Sequence, residues 1–235
     1  MMPAYEIVTD FERPDPSVIE RAMHQYFCMV GCAVGPRYVM DPGIKPLDIS
    51  WRICGPAFTV RPEETDDVLM GQIAGKYVKP GDVVIIDAAG DQRAAAIGGS
   101  MCNGLKEAGA VGIVIDGYAL TAEVIRKRED IPVFCRGTVA RAATYDHPGW
   151  LNVPVICGGV IVNPGDLIVG DEDGVVVVPR VHAEDVIAQV AGNPSKDSGR
   201  PLDGNIPPRE PQTEAYYKRC GAEDKIAAME RMTIK

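Results

Sequence analysis

Asp82-Val83-Val84-Ile85-Ile86-Asp87 and Gly112-Ile113-Val114-Ile115-Asp116 are two short, unbroken apolar runs that each end in an aspartate. Neither alternates apolar with polar residues, so each predicts a strand buried on both faces, the texture of an α/β sheet. Between them, Gly98 to Ala108 has helix-forming composition after a glycine pair. Strand, Gly-rich turn, helix and strand together make a crossover unit.

Downstream, Pro132-Val133-Phe134, Val153-Pro154-Val155-Ile156, Leu167-Ile168-Val169-Gly170-Asp171 and Val175-Val176-Val177-Val178 predict further strands. Asp171-Glu172-Asp173-Gly174 is a hairpin turn, with glycine where positive φ is tolerated. A helix near His182–Val190 closes this block. Upstream, Gly55-Pro56-Ala57-Phe58-Thr59-Val60 predicts another strand. Residues 15–35 read as one helix, capped by Asp15 before Pro16 and apolar at Val18, Ile19, Ala22, Met23 and Tyr26.

The chain is thus expected to comprise an N-terminal helical segment (1–52), an α/β core (53–191) and a C-terminal arm (192–235). Gly192 to Gln212 is rich in Pro, Gly and Asp, which predicts a polar linker. Glu214–Met232 follows as a helix whose apolar edge, Ile226, Met229 and Met232, is expected at a subunit interface.

The 235 residues suffice for one core and its appendages. With 24 Lys+Arg against 33 Asp+Glu the formal charge is −9, and no basic stripe offsets it, so nucleic acid and anionic lipid are not expected partners. No apolar run reaches the length of about 18 residues that spans a bilayer. The seven cysteines are odd in number and follow no signal peptide, which predicts reduced thiols and a cytoplasmic location. Cys28 and Cys32 lie one helical turn apart, with no histidine spaced to complete a zinc site.

Gly55-Pro56-Ala57, Pro80-Gly81-Asp82-Val83-Val84, Ile115-Asp116-Gly117 and Val162-Asn163-Pro164-Gly165-Asp166 are followed by Asp173-Gly174-Val175-Val176-Val177-Val178-Pro179. In this order they resemble the RraA-like family, which contains the regulator of ribonuclease activity A and the metal-dependent 4-hydroxy-4-methyl-2-oxoglutarate aldolases. The resemblance runs from Ile53 to Val190. It implies a layered β/β/α swivelling-domain fold within the α/β class, and a homotrimer or hexamer.

The resemblance also implies a site. In the family's enzymes an acid after a glycine and a later Arg-Asp pair hold Mg and steady the enolate of pyruvate. Here Gly98-Gly99 stands at the Gly-acid position and Leu120-Thr121, 21 residues after Gly99, at the Arg-Asp position. The ligands of the family's metal are therefore not retained. What remains is the frame: Arg93 six residues before Gly99, and the N–H groups of Ser100 and Met101 at a helix start, suited to a substrate carboxylate.

Asp87, Asp91 and Asp116 stand at or beyond strand ends, where α/β sheets collect ligand groups. Each caps a turn, or the three form a relocated metal site. Thr121 is placed to cap the helix beginning near Ala122. Cys102, one turn into the cleft helix, is a buried thiol or a nucleophile activated by the helix start. His24, His147 and His182 have no visible nucleophile partner.

The expected site thus comprises Arg93 as the catalytic cation, with Gly98, Gly99, Ser100, Met101, Asp116, Leu120 and Thr121 around a small 2-oxo acid or dicarboxylate. The expected activity is that of a carbon–carbon lyase, a pyruvate aldolase or an oxaloacetate-type decarboxylase, with a departed site. The alternatives are a non-catalytic homologue binding a small acid or a protein, and an isomerase or lactone hydrolase using the same anion pocket.

Overall fold

The computed structural model describes residues 5–128, 131–192, 221 and 224–225. The chain divides into two units, Met1–Arg200 and Pro201–Lys235. The expected helix at 214–232, and all of the linker after Gly192, lie outside the described residues but for Gly221, Asp224 and Lys225.

In the first unit the strands are β1 (Glu6–Ile7), β2 (Lys45–Pro46), β3 (Ile53–Pro62), β4 (Val83–Ile97), β5 (Gly112–Ala119) and β6 (Val133–Cys135), then β7 (Gly137–Thr138), β8 (Gly149–Leu151), β9 (Val155–Cys157), β10 (Val160–Val162), β11 (Leu167–Asp171) and β12 (Gly174–Val178). The helices are α1 (Pro16–Met23), α2 (Phe27–Val34), α3 (Leu69–Ala74), α4 (Gly99–Glu107), α5 (Ala122–Arg128) and α6 (Ala183–Ala191).

The main sheet runs β1-β8-β3-β4-β5-β6-β2, with β3, β4, β5 and β6 parallel. As their unbroken apolar runs require, Val83–Ile86 and Ile113–Ile115 are buried on both faces. On one face Val84, Ile86, Ile113 and Ile115 meet Met101, Cys102, Leu105 and Ile125 of α4 and α5. On the other, Val83, Ile85 and Val114 meet Val155, Val160, Ile168 and Val177 of the β9–β10 and β11–β12 hairpins. Leu167, Val169 and Val178 then carry α1, α2 and α6 through Val18, Phe27 and Ile187. This is the expected α/β class with β/β/α layering, and the second helical layer lies on the hairpin side.

The single helix expected over 15–35 is two. Asp15 caps α1 by accepting the N–H of Ser17 at 2.8 Å. The helix then stops at Met23, where Arg52 donates to the carbonyls of Met23 and Gln25 and stacks its guanidinium 4.1 Å from the Phe27 ring centre. An arginine far along the chain thus takes up carbonyls that a continuous helix would have used itself.

Ahead of α1, Arg13 forks onto Asp82 with two bonds of 2.8 Å and lies over the Phe11 ring, tying the N-terminal segment to the start of β4. Among the described residues no helix is long and apolar enough to cross a membrane.

Candidate functional site: an uncharged cleft at the start of α4

Strand β4 is longer than expected. It continues beyond Asp87 to Ile97, with register shifts against β5 and a left-handed corner at Ala89 (φ 50°) and Gly90 (φ 71°). Its far end delivers the chain to Gly98, from which α4 starts. The end of β5 delivers Leu120 and Thr121 beside it, where Leu120 N–H donates to Ile97 carbonyl at 3.0 Å.

Thr121 holds two helices. Its carbonyl accepts the first bonds of α5, from Val124 and Ile125, as expected of a cap. Its hydroxyl, however, accepts the Gly99 N–H of α4 at 3.0 Å. The backbone turns the hydroxyl that way by adopting φ 56°, a costly conformation for a β-branched residue.

Cys102 N–H reaches Gly98 carbonyl, whereas the N–H groups of Ser100 and Met101 have no acceptor among the described residues. Ser100 and Met101 line a cleft of about 200 Å³ together with Gly98, Gly99, Leu120 and Thr121. The structure thus brings together six of the residues expected there.

The other expected residues lie elsewhere. Arg93 sits on β4 with its guanidinium forked onto Asp91, 2.6 Å from Oδ2 at the closest, and its side chain is 62% exposed. That pairing holds the Asp91 carboxyl well below its ordinary range, with the Thr65 hydroxyl at 2.6 Å assisting. Asp116 accepts from Arg136 and, at 2.8 Å, from Gly158 N–H. Asp87 accepts the N–H groups of Ile156 and Ala89, and burial raises its pKa, with the Asp116 carboxylate adding to the effect. Each carboxylate is thus taken by its own partners. Among the described residues no three His, Cys, Asp or Glu side chains are grouped to hold a metal ion. Cys102 is fully buried, facing the sheet core.

The rest of the cleft wall had no signal in the sequence. Val68 and Gln72 come from the start of α3, and Ala142, Ala143 and Tyr145 from the segment before β8. The two segments are joined by Asp67, which is buried. Its carboxylate accepts the N–H groups of Leu69, Asp146 and His147 and the hydroxyl of Thr144. A lone aspartate in an acidic stretch carries no mark of this role.

The RraA-like family profile, described as Aldolase/RraA, matches residues 29–177. The chain belongs to the RraA-like family. A Halalkalibacterium halodurans protein provisionally named 4-hydroxy-4-methyl-2-oxoglutarate aldolase is 39% identical over 158 residues, 67% of this chain and 74% of its own length. The crystal structure of Streptomyces coelicolor RraAS2, described as an unusual member of the RNase ES inhibitor RraA protein family, superposes with a TM-score of 0.69 at 30% identity. That match covers 77% of this chain and 93% of RraAS2. An uncharacterized Pseudomonas syringae protein gives a TM-score of 0.66 at 26% identity over 76% of this chain and 87% of its own.

The divalent cation implied by the family does not fit this cleft. The side-chain oxygens lining it, from Gln72, Ser100, Thr121 and Tyr145, are all neutral. Hard divalent cations in protein cages draw on carboxylates. A carboxylate side chain at position 99 would also crowd the cap, since a Cβ there would stand 3.3 Å from Thr121 Oγ1, which would have to give by a few tenths of an ångström.

Proposed function

We propose that the protein is a carbon–carbon lyase acting on a small 2-oxo acid in the α4 cleft, by a route that draws on no divalent cation. The observation that carries this reading is the pair of unshared N–H groups, Ser100 and Met101, in the first turn of a nine-residue helix whose start borders a half-open cleft. Such N–H groups and the helix dipole favour a carboxylate. Membership of a family whose relatives carry aldolase names supports the choice of acid and of reaction.

With the carboxylate on α4, an enolate formed by aldol cleavage meets the hydroxyls of Ser100, Thr121 and Tyr145 and the Gln72 amide, and no charged side chain of the lining. Removing one strong electrostatic stabiliser typically slows an enzyme by about 10²–10³. Turnover is therefore slow compared with a relative that keeps the acid and the Arg-Asp pair. The uncharged lining favours a second reading, in which the cleft binds a small acid without turning it over.

Pyruvate release from 4-hydroxy-4-methyl-2-oxoglutarate and from oxaloacetate, followed with a lactate dehydrogenase couple, tests both readings. The lyase reading expects slow release that is the same with EDTA and with magnesium. Magnesium-dependent turnover at an ordinary rate, about 1–1,000 per second, would overturn the cation-free route. Acid binding with no release above background would leave the second reading standing.

A further inference from the structure

The geometry points to a second binding site, in the helical layer on the hairpin side: Cys28 and Cys32 of α2 hold a soft, two-coordinate metal ion of the Cu(I) kind between their sulfurs.

Among the described residues Cys54, Cys102, Cys135 and Cys157 are buried, whereas Cys28 and Cys32 are exposed. Both line one apolar hollow of about 390 Å³, walled by Phe27, Val39, Val175 and Val176, which shares no residue with the α4 cleft. Gly31 sets the hollow against the hairpin. A Cβ there would stand 3.3 Å from Val176 Cγ2, so α2 rides close on β12 with a cysteine before and after the contact.

The spacing decides what two such thiols can do. Side chains four residues apart on an α-helix have their Cβ atoms about 5–6 Å apart. A disulfide needs about 3.5–4.5 Å between its Cβ atoms, so the pair does not close one while α2 keeps its turn. A metal ion between the sulfurs replaces one S–S bond of about 2.05 Å by two bonds of about 2.3 Å, and so spans the gap.

The surroundings choose the ion. Among the described residues no third His, Cys, Asp or Glu is grouped with the pair to hold a metal. Zinc takes four ligands and hard cations take oxygens, whereas thiolates with nothing further suit Cu(I). Asp171 and Asp173, which also line the hollow, draw a cation in, and the Lys45 ammonium, 2.8 Å from the Asp173 carbonyl, offsets part of their charge. Two thiols and one Cu(I) give a dithiolate complex of charge −1, and the two displaced protons go to solvent.

The full chain, reduced and kept from oxygen, is titrated with Cu(I) against bicinchoninate, whose coloured complex reports the ion that the protein has not taken. One Cu(I) per chain is expected, with two sulfur neighbours and no third ligand in the X-ray absorption spectrum. Cys28→Ser and Cys32→Ser are each expected to weaken binding at least tenfold while the metal-free melting temperature stays that of wild type. Cys220→Ser, at a cysteine outside the described residues, and a tenfold excess of Zn(II) are each expected to leave Cu(I) affinity within twofold. Diamide treatment of the metal-free chain, followed by peptide mapping, is expected to yield no Cys28–Cys32 bridge.

Uptake no stronger in wild type than in the double variant Cys28→Ser/Cys32→Ser would overturn the inference. So would loss of binding in Cys220→Ser, displacement by Zn(II), a third ligand in the absorption spectrum, or a Cys28–Cys32 disulfide in the folded chain.

Discussion

Replacing Asp67 tests whether one buried carboxylate holds the two walls of the cleft together. Asp67 is 2% exposed and accepts the N–H groups of Leu69 at 2.8 Å, Asp146 at 2.7 Å and His147 at 3.0 Å, and the Thr144 hydroxyl at 2.8 Å. Hydrogen bonds to a charged group are each worth about 1.5–3 kcal/mol, but donors that share one carboxylate do not add. Some of the orphaned donors will also recover water at this edge of the fold.

Asp67→Ala is therefore expected to cost about 3–5 kcal/mol, a large part of a typical stability of about 5–15 kcal/mol. Asp67→Asn keeps one acceptor oxygen but turns an amide toward donors, for an expected cost of about 2–3 kcal/mol. Urea unfolding reads this as a lowered midpoint at unchanged slope.

The pH dependence follows from the same contacts. Burial pushes the Asp67 pKa up, but the N–H groups of Leu69, Asp146 and His147 and the Thr144 hydroxyl outweigh it and hold the carboxyl below its ordinary value. A carboxyl lowered on folding stabilises above its unfolded pKa of about 3.9, and that contribution is lost as pH falls through the folded value. The gap between wild type and variant should accordingly narrow below about pH 4. A loss under about 1 kcal/mol at neutral pH, or a gap that persists on acidification, would refute the reasoning.

Two further perturbations bear on the frame of the site. Thr121→Val removes the cap on Gly99 N–H and should cost about 1 kcal/mol, whereas Thr121→Asn keeps an acceptor and tolerates left-handed φ, so its melting temperature should equal or exceed wild type. Equal melting temperatures for wild type and Thr121→Val would remove the cap. Arg13→Ala leaves the fully buried Asp82 without its cation and with the Lys79 N–H as its remaining donor, and should cost about 3–5 kcal/mol in urea unfolding, where a cost under about 1 kcal/mol would contradict the pairing.

The sheet was legible because burial on both faces writes itself into consecutive residues: Val83–Ile86 and Ile113–Ile115 need no partner to be recognised as strands. The β11–β12 turn was legible for a similar reason, since Gly174 pairs with Asp171 across two residues at φ 134°. Helix continuity past Met23 was not, because the interruption depends on Arg52, which is local in space and distant in sequence. At the site, the α4 start followed from the glycine pair, whereas Leu120-Thr121 was placed beside it only by the resemblance to the family. The partner of Arg93 was open between a ligand and an acid, whether Asp87, Asp91 or one on a neighbouring subunit, and only the fold of β4 brings the fork with Asp91 together. The walls from Val68, Gln72 and Tyr145 were invisible because an aspartate that joins two segments looks, in sequence, like any surface acid.

Strand β4 has one more consequence. From Ile86 to Ile97 it spends far more residues than β5 does from Ile115 to Ala119, although both ends of the stretch are paired with β5. The surplus lies in the gaps between successive pairs, Ile86–Ile115, Asp91–Gly117, Ala95–Tyr118 and Ile97–Ala119, and includes the Ala89–Gly90 corner and Arg93. The unpaired residues between those pairs can change in number without altering the register of either end. Evolution could therefore redecorate the approach to the cleft by changing the length of this excursion while the floor beneath it, Ala95, Ile97 and the first turn of α4, stays in place.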